Sequence, residues 1–272
     1  LVITKHHEHT ASFNTAIVVF SCVIMHDRLC RSRPDHRHGL KGPVITDSDR
    51  SCPVDTFVVM VRDPVLRPFL LVWLLFVVCC TVAMVWLPSL DLHRVANSLH
   101  TPLLDAVMAR ITHLADGLVP TALALLLWWW RDLRSFLLMG LGCGISALVT
   151  QFLKRGVFAH LDRPAMFRDQ LAGLPWVDGV DLHHHFSFPS GHSTAAWAMC
   201  CALAILVGRN AYSFVFALLA AVLAYSRVYL SQHFTQDILV GSLIGVLTTA
   251  AVHAWLYRSR FSSKRWLDRR WP

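Results

Sequence analysis

Charge is scarce in this sequence: Asp, Glu, Lys and Arg make up 15% of 272 residues, against 55% hydrophobic. A soluble domain usually carries about a quarter charged residues to keep its surface in water. That shortage excludes a free-standing soluble enzyme and points to an integral membrane protein. Paired cysteines are also missing. The eight cysteines include no Cys-x-x-Cys, and Cys79, Cys80, Cys143, Cys200 and Cys201 lie inside apolar runs, where they read as small core or lipid-facing residues and not as a disulfide framework. The charge that is present sums to +8, but it lies in short clusters between apolar runs and at the C-terminus. Cations so placed orient helices against anionic headgroups, and nucleic acid is not expected as a partner.

The apolar runs predict an all-α bundle of about six transmembrane helices. The clearest are Val65 to Leu87, Ser135 to Leu153, Ala211 to Leu230 and Ile238 to Tyr257; Leu114 to Trp130 and Ser193 to Val207 are weaker. At ~1.5 Å per residue these approach the ~30 Å of a hydrocarbon core. Asp116 burdens Leu114 to Trp130, since a carboxylate in a span needs the interface or a polar cavity. Between the first two spans, Leu92, Val95, Leu99, Leu103 and Val107 recur at helical spacing among charges, the pattern of an interfacial helix.

In a six-span layout Arg62, Arg67, Arg131, Arg134, Arg209 and the basic tail 259–272 share one side, which is therefore read as cytoplasmic. Residues 60–258 form the expected membrane domain. Residues 1–59, rich in His and Arg with one apolar run too short to span, read as a disordered or non-native extension.

On the opposite, external side three polar clusters meet helix ends. In "PSGH", Pro189 to His192, Ser190 can cap the following helix, Gly191 leaves the backbone open to a ligand, and the first-turn N–H groups form an anion site beside the titratable His192. An ordinary capped helix with an interfacial histidine would read the same. In "SRVYLSQHFTQD", Ser226 to Asp237, His233 and Asp237 are four apart, so a carboxylate can fix the histidine's tautomer and free its other nitrogen. A purely structural pair has the same spacing. Arg227 supplies a phosphate-matching guanidinium, and a helix break near Leu230 to Gln232 is needed to bring it toward His233. Lys154, Arg163 and Arg168 crowd one external loop, either as a cationic pocket or as solvated charge. The run His183 to His185 has no carboxylate or cysteine at ligand spacing beside it, so no metal and no cofactor are expected.

Together the clusters resemble the signature of the type 2 phosphatidic acid phosphatase superfamily: Lys then Arg-Pro, Pro-Ser-Gly-His, and Ser-Arg, five residues, His, three residues, Asp. The second and third match in full. The first departs, with eight residues between Lys154 and Arg163 where the family has six, which leaves Arg155 an alternative to Lys154. The resemblance runs from about Val65 to Tyr257. It implies a metal-independent membrane phosphatase acting on a lipid phosphate or pyrophosphate at the outer surface, of a bacterial inner membrane if the source is bacterial. By the same resemblance His233 is the nucleophile forming a phosphohistidine, Asp237 orients it, and His192 is the acid and base. Lys154, Arg163, Ser190, Gly191 and Arg227 would hold the phosphoryl oxygens. Two other readings share these residues: a phosphotransferase using a polyprenyl pyrophosphate donor, and a catalytically silent lipid-binding or transport protein.

Overall fold

The structure is a computed structural model and describes residue 60 and residues 63–270. The expected extension, residues 1–59, lies outside the described residues. Among the described residues the chain is helical, with no strand. Four helices are long and apolar enough to cross a membrane, and they fall on the four clear runs: α1 (Arg67–Trp86), α5 (Leu133–Phe152, extended by a wider turn to Val157), α7 (Asn210–Tyr229) and α8 (Thr235–Arg258). Between α1 and α5 lie α2 (Ser89–Ala96), α3 (Pro102–Ile111) and α4 (Leu118–Trp130), and α6 (Gly191–Val207) precedes α7.

The two weaker runs are helices too, but shorter than a full crossing. α4 has 13 residues, about 20 Å at 1.5 Å each, and is bent by 51° from the helical segment before it. α6 has 17 residues. By length and composition four helices qualify as spans, or five if the bent pair counts as one, against the six expected. The bend falls where Asp116 takes an extended conformation after a turn at Thr112–Ala115, so the carboxylate ends one helix instead of being carried within a span.

The single interfacial helix expected between the first spans is two. α2 stops at Asn97, and α3 restarts at Pro102, its first turn capped by the Thr101 hydroxyl, which accepts from the Leu104 N–H at 3.2 Å. The apolar stripe splits accordingly: Leu92 is buried in the protein, while Val95, Leu99 and Leu103 face outward, where lipid can cover them.

α6 packs closely against α8, and the reason is two glycines. A Cβ on Gly241 would stand 2.7 Å from the Ser190 carbonyl, and one on Gly245 would stand 2.5 Å from that of Thr194. Only glycine permits that approach, the small-xxx-small geometry of membrane helices. Hydroxyls then tie the pair, with Ser193 donating to the Ile238 carbonyl at 2.7 Å. Around them Trp197, fully buried, packs edge-on to Phe69 of α1 and against Phe76.

One end of the bundle gathers cations. Arg131 donates to the Leu206 carbonyl at 2.7 Å, and Arg134 reaches Asp268 at 2.9 Å and the Ser262 carbonyl at 2.8 Å. The tail is thus folded back on α5, with Leu267 buried. The opposite end collects the turn after α5, the start of α6 and the α7–α8 connection.

Candidate active site

His233 reaches the site because α7 ends early. The helix stops at Tyr229, and the chain doubles back so that the Arg227 carbonyl accepts from both Gln232 N–H (2.9 Å) and His233 N–H (3.2 Å). Ser231 pays for this turn with a left-handed φ of 52°, a conformation uncommon outside glycine. Its hydroxyl is 3.1 Å from His93 Nε2, and Asn97 donates to the Val228 carbonyl at 3.1 Å, so α2 braces the break. The expected interruption between Arg227 and His233 is present, at residues 230–234.

The next helix starts at once and brings Asp237 under the imidazole. One carboxylate oxygen, Oδ2, faces three donors: His233 Nδ1 at 3.1 Å, the Phe234 N–H at 3.0 Å and the Ser187 hydroxyl at 2.5 Å. The Phe234 contact also caps α8, with the acid in its favoured third position. With Nδ1 committed as donor, the lone pair of His233 is on Nε2. Burial, and after it the charges of Arg163, Lys154 and Arg227, hold the imidazolium pKa well below the usual histidine range, so the ring is neutral at physiological pH.

Ser190 caps α6 as expected, accepting from the Ser193 N–H at 3.4 Å. Its own N–H donates to the Asp237 carbonyl at 3.0 Å, joining the second cluster to the third. Open space surrounds the Cβ position of Gly191, so the N-terminus of α6 is accessible. His192 stands at that mouth, ahead of the apolar part of the helix. Burial first, and Arg227 next, push its pKa down to about 4 against the pull of Asp116.

The cations arrive from two further elements. Lys154 lies in the wide turn Leu153–Val157 and is buried, whereas its neighbour Arg155 is exposed. The wider turn absorbs part of the lengthened first cluster and rotates Lys154 inward, within electrostatic reach of Arg163, Arg227 and Asp237. Arg163 is locked by carbonyls: Nε donates to His185 at 3.0 Å, Nη1 to Gln232 at 3.2 Å and Nη2 to Phe186 at 3.5 Å. The triple histidine therefore serves the site through its backbone. Its His185 ring pairs with Asp162 at 2.9 Å, and among the described residues no group of three or more His, Cys, Asp or Glu is arranged to hold a metal. Arg227 donates through Nη1 to Thr112 Oγ1 at 2.8 Å, and its buried Nε has no partner.

The three polar clusters of the sequence thus converge. Lys154, Arg163, Ser190, Gly191, His192, Arg227, His233 and Asp237 are brought to one end of the bundle. Arg168 stands apart, its guanidinium 5.0 Å over the Trp176 ring. Ser187, Gln232, Thr112 and Asp116 were not anticipated. Only Asp116 had left a signal, as a carboxylate at the edge of an apolar run.

Residues 135–261 match the PAP2 superfamily. A lipid A 1-phosphatase of Rhizobium etli is 35% identical over 113 residues, covering 40% of this chain and 46% of that protein. A decaprenylphosphoryl-5-phosphoribose phosphatase of Mycobacterium tuberculosis is 29% identical over 123 residues, 45% of this chain and 62% of that one. The match to the Rhizobium protein therefore spans about half its length. Among solved structures, LpxE of Aquifex aeolicus superposes with a TM-score of 0.53 at 26% identity, over 60% of this chain and 93% of that one. A PAP2 type phosphatidylglycerolphosphate phosphatase from Bacillus subtilis shares the fold, with a TM-score of 0.51 at 24% identity over 78% and 98%. Residues 135–261, the stretch that matches the PAP2 superfamily, contain all three polar clusters from Lys154 to Asp237.

Proposed function

We propose that this protein hydrolyses a lipid phosphate or pyrophosphate at a membrane surface through a phosphohistidine. The observation that carries the reading is His233, tied at Nδ1 to the buried Asp237 and within electrostatic reach of Lys154, Arg163 and Arg227. An imidazole lone pair facing three cations suits a nucleophile for a phosphoryl dianion. In the first step Nε2 of His233 attacks phosphorus, the P–O bond to the lipid breaks, and the leaving oxygen takes a proton from His192. In the second, His192 accepts a proton from water, the hydroxide oxygen bonds to phosphorus and the P–N bond breaks, releasing phosphate. Lys154, Arg163, Arg227, Ser190 and the N–H groups at the start of α6 bind the phosphoryl oxygens and the charge that develops on them. These groups supply the electrostatic role a metal has in other phosphatases.

The clustering of Arg131, Arg134 and the basic tail at one end favours a cytoplasmic C-terminus and a site facing the exterior or the periplasm of a bacterial inner membrane. The relatives' substrates are phosphorylated lipids, which makes a lipid reached laterally from the bilayer the expected class. The test is phosphate release by the purified protein from a panel: lipid A, a polyprenyl-phosphoryl phosphoribose, undecaprenyl pyrophosphate, phosphatidylglycerophosphate and phosphatidic acid. Turnover of at least one, with inhibition by vanadate as a mimic of the five-coordinate transition state, is expected. No release from any of them would overturn the reading.

A further inference from the structure

The turn between α3 and α4, residues Thr112 to Asp116, makes two contacts with the site and lies ahead of the region that matches the family. Asp116 Oδ1 is 2.7 Å from His192 Nε2, and its Oδ2 is 2.9 Å from His113 Nδ1. Four residues earlier the buried Thr112 accepts from Arg227 at 2.8 Å. One short segment therefore grips a member of the second cluster and a member of the third. His192 also faces Arg227 from α7, Lys154 from the turn after α5 and His233 from the α7–α8 connection. Among these neighbours Asp116 is the carboxylate in contact with it. Without a negative partner, an imidazolium in such cationic surroundings would be strongly disfavoured.

We propose that residues 112–116 are a fourth segment of the site and that Asp116 is a positioning residue, orienting His192 and favouring the protonated form that a departing oxygen requires. The inference rests on the phosphatase reading for its role in turnover. The site then contains two histidine–carboxylate pairs of different character. Asp237 is fully buried, shares one oxygen among three donors and fixes a neutral ring. Asp116 keeps 39% of its side-chain surface exposed, so it can release Nε2 when a leaving group arrives and take the ring back afterwards. The carboxylate that burdened the sequence as a span residue has a use at the span's mouth.

The test is Asp116→Asn in the full chain in lipid nanodiscs, with Asp116→Glu as the conservative variant. Nuclear magnetic resonance titration of the His192 ring, assigned by its loss in His192→Gln, reads the interaction independently of turnover. The expected result is a lower His192 midpoint in Asp116→Asn by about one pH unit, a tenfold change in the equilibrium, and its partial recovery in Asp116→Glu. In single-turnover kinetics the lipid phosphate should lose about tenfold or more, and p-nitrophenyl phosphate, whose leaving group needs no proton, less than about threefold. An unchanged His192 midpoint, or equal losses on the two substrates, would overturn the proposal. A wild-type protein inactive on every lipid would contradict the phosphatase reading instead, with the titration still deciding whether Asp116 governs His192.

Discussion

His233 and His192 differ in what surrounds them, and the proposed mechanism gives them different work. The first is buried with one nitrogen committed to Asp237; the second lies at an open helix mouth against a half-exposed carboxylate. His192→Ala removes the proposed proton donor, so its expected cost depends on the leaving group: several orders of magnitude on a lipid alkoxide, and much less on p-nitrophenyl phosphate, in the burst of a rapid-quench experiment. A loss equal on both would show that His192 does more than deliver a proton. The pH profile carries the same information. In the free protein His192 is protonated only toward pH 4, and a phosphate monoester gains its second charge near pH 6, so kcat/KM is expected to peak on the acid side of neutrality. A bound dianion favours the imidazolium, which moves the alkaline limb of kcat above that of kcat/KM; coincident limbs would contradict this. For the lengthened first cluster, the burial of Lys154 and the exposure of Arg155 set the ranking: Lys154→Ala should cost about tenfold or more in kcat/KM and Arg155→Ala little, measured on any accepted phosphate ester. "PSGH" and "SRVYLSQHFTQD" carried most of these residues in plain view, because their spacing is local. Ser187, 50 residues from Asp237, and Asp116, 76 residues from His192, act across the fold, and no spacing in the chain encodes such a contact.

At the scale of elements, length decided what could be read. Four runs were long enough to announce themselves, and their helices end within a few residues of the expected positions. α4 and α6 were recognisable as apolar but fall short of a full crossing, because Asp116 and the polar start of α6 belong to the site end. Composition alone does not register the wide turn after α5 or the break between α2 and α3. Gly241 and Gly245 were visible as letters, yet their meaning depends on which helix lies opposite. That packing is testable. Gly245→Ala would press a methyl into the Thr194 carbonyl and the Ala198 N–H at 2.5 and 2.9 Å, forcing α6 from α8 at a cost of about 1–3 kcal/mol. Thermal unfolding in detergent should fall accordingly, and activity with it, since α6 carries Ser190 and His192. Gly140→Ala, with nothing within 4 Å of its Cβ position, should leave the unfolding temperature unchanged or slightly raised.

The whole molecule separates two ends of a bundle by charge and function. Arg131 holds the end of α6 and Arg134 the folded tail at one end, and the cations at the other end, Lys154, Arg163 and Arg227, lie within electrostatic reach of His233. Buried cations are costly, and a phosphoryl dianion entering among them would offset that cost, which is the physical ground for the proposed anionic lipid headgroup. The proposed chemistry passes through one bond, between phosphorus and Nε2 of His233. Rapid quench of the protein with a ³²P-labelled lipid phosphate, into alkali to preserve a phosphohistidine and into acid to destroy it, tests for that bond. The wild-type protein should yield alkali-stable, acid-labile label on the chain, and His233→Ala should yield none. Label that persists in His233→Ala, or that survives acid and is lost in alkali, would show that another residue receives the phosphoryl group.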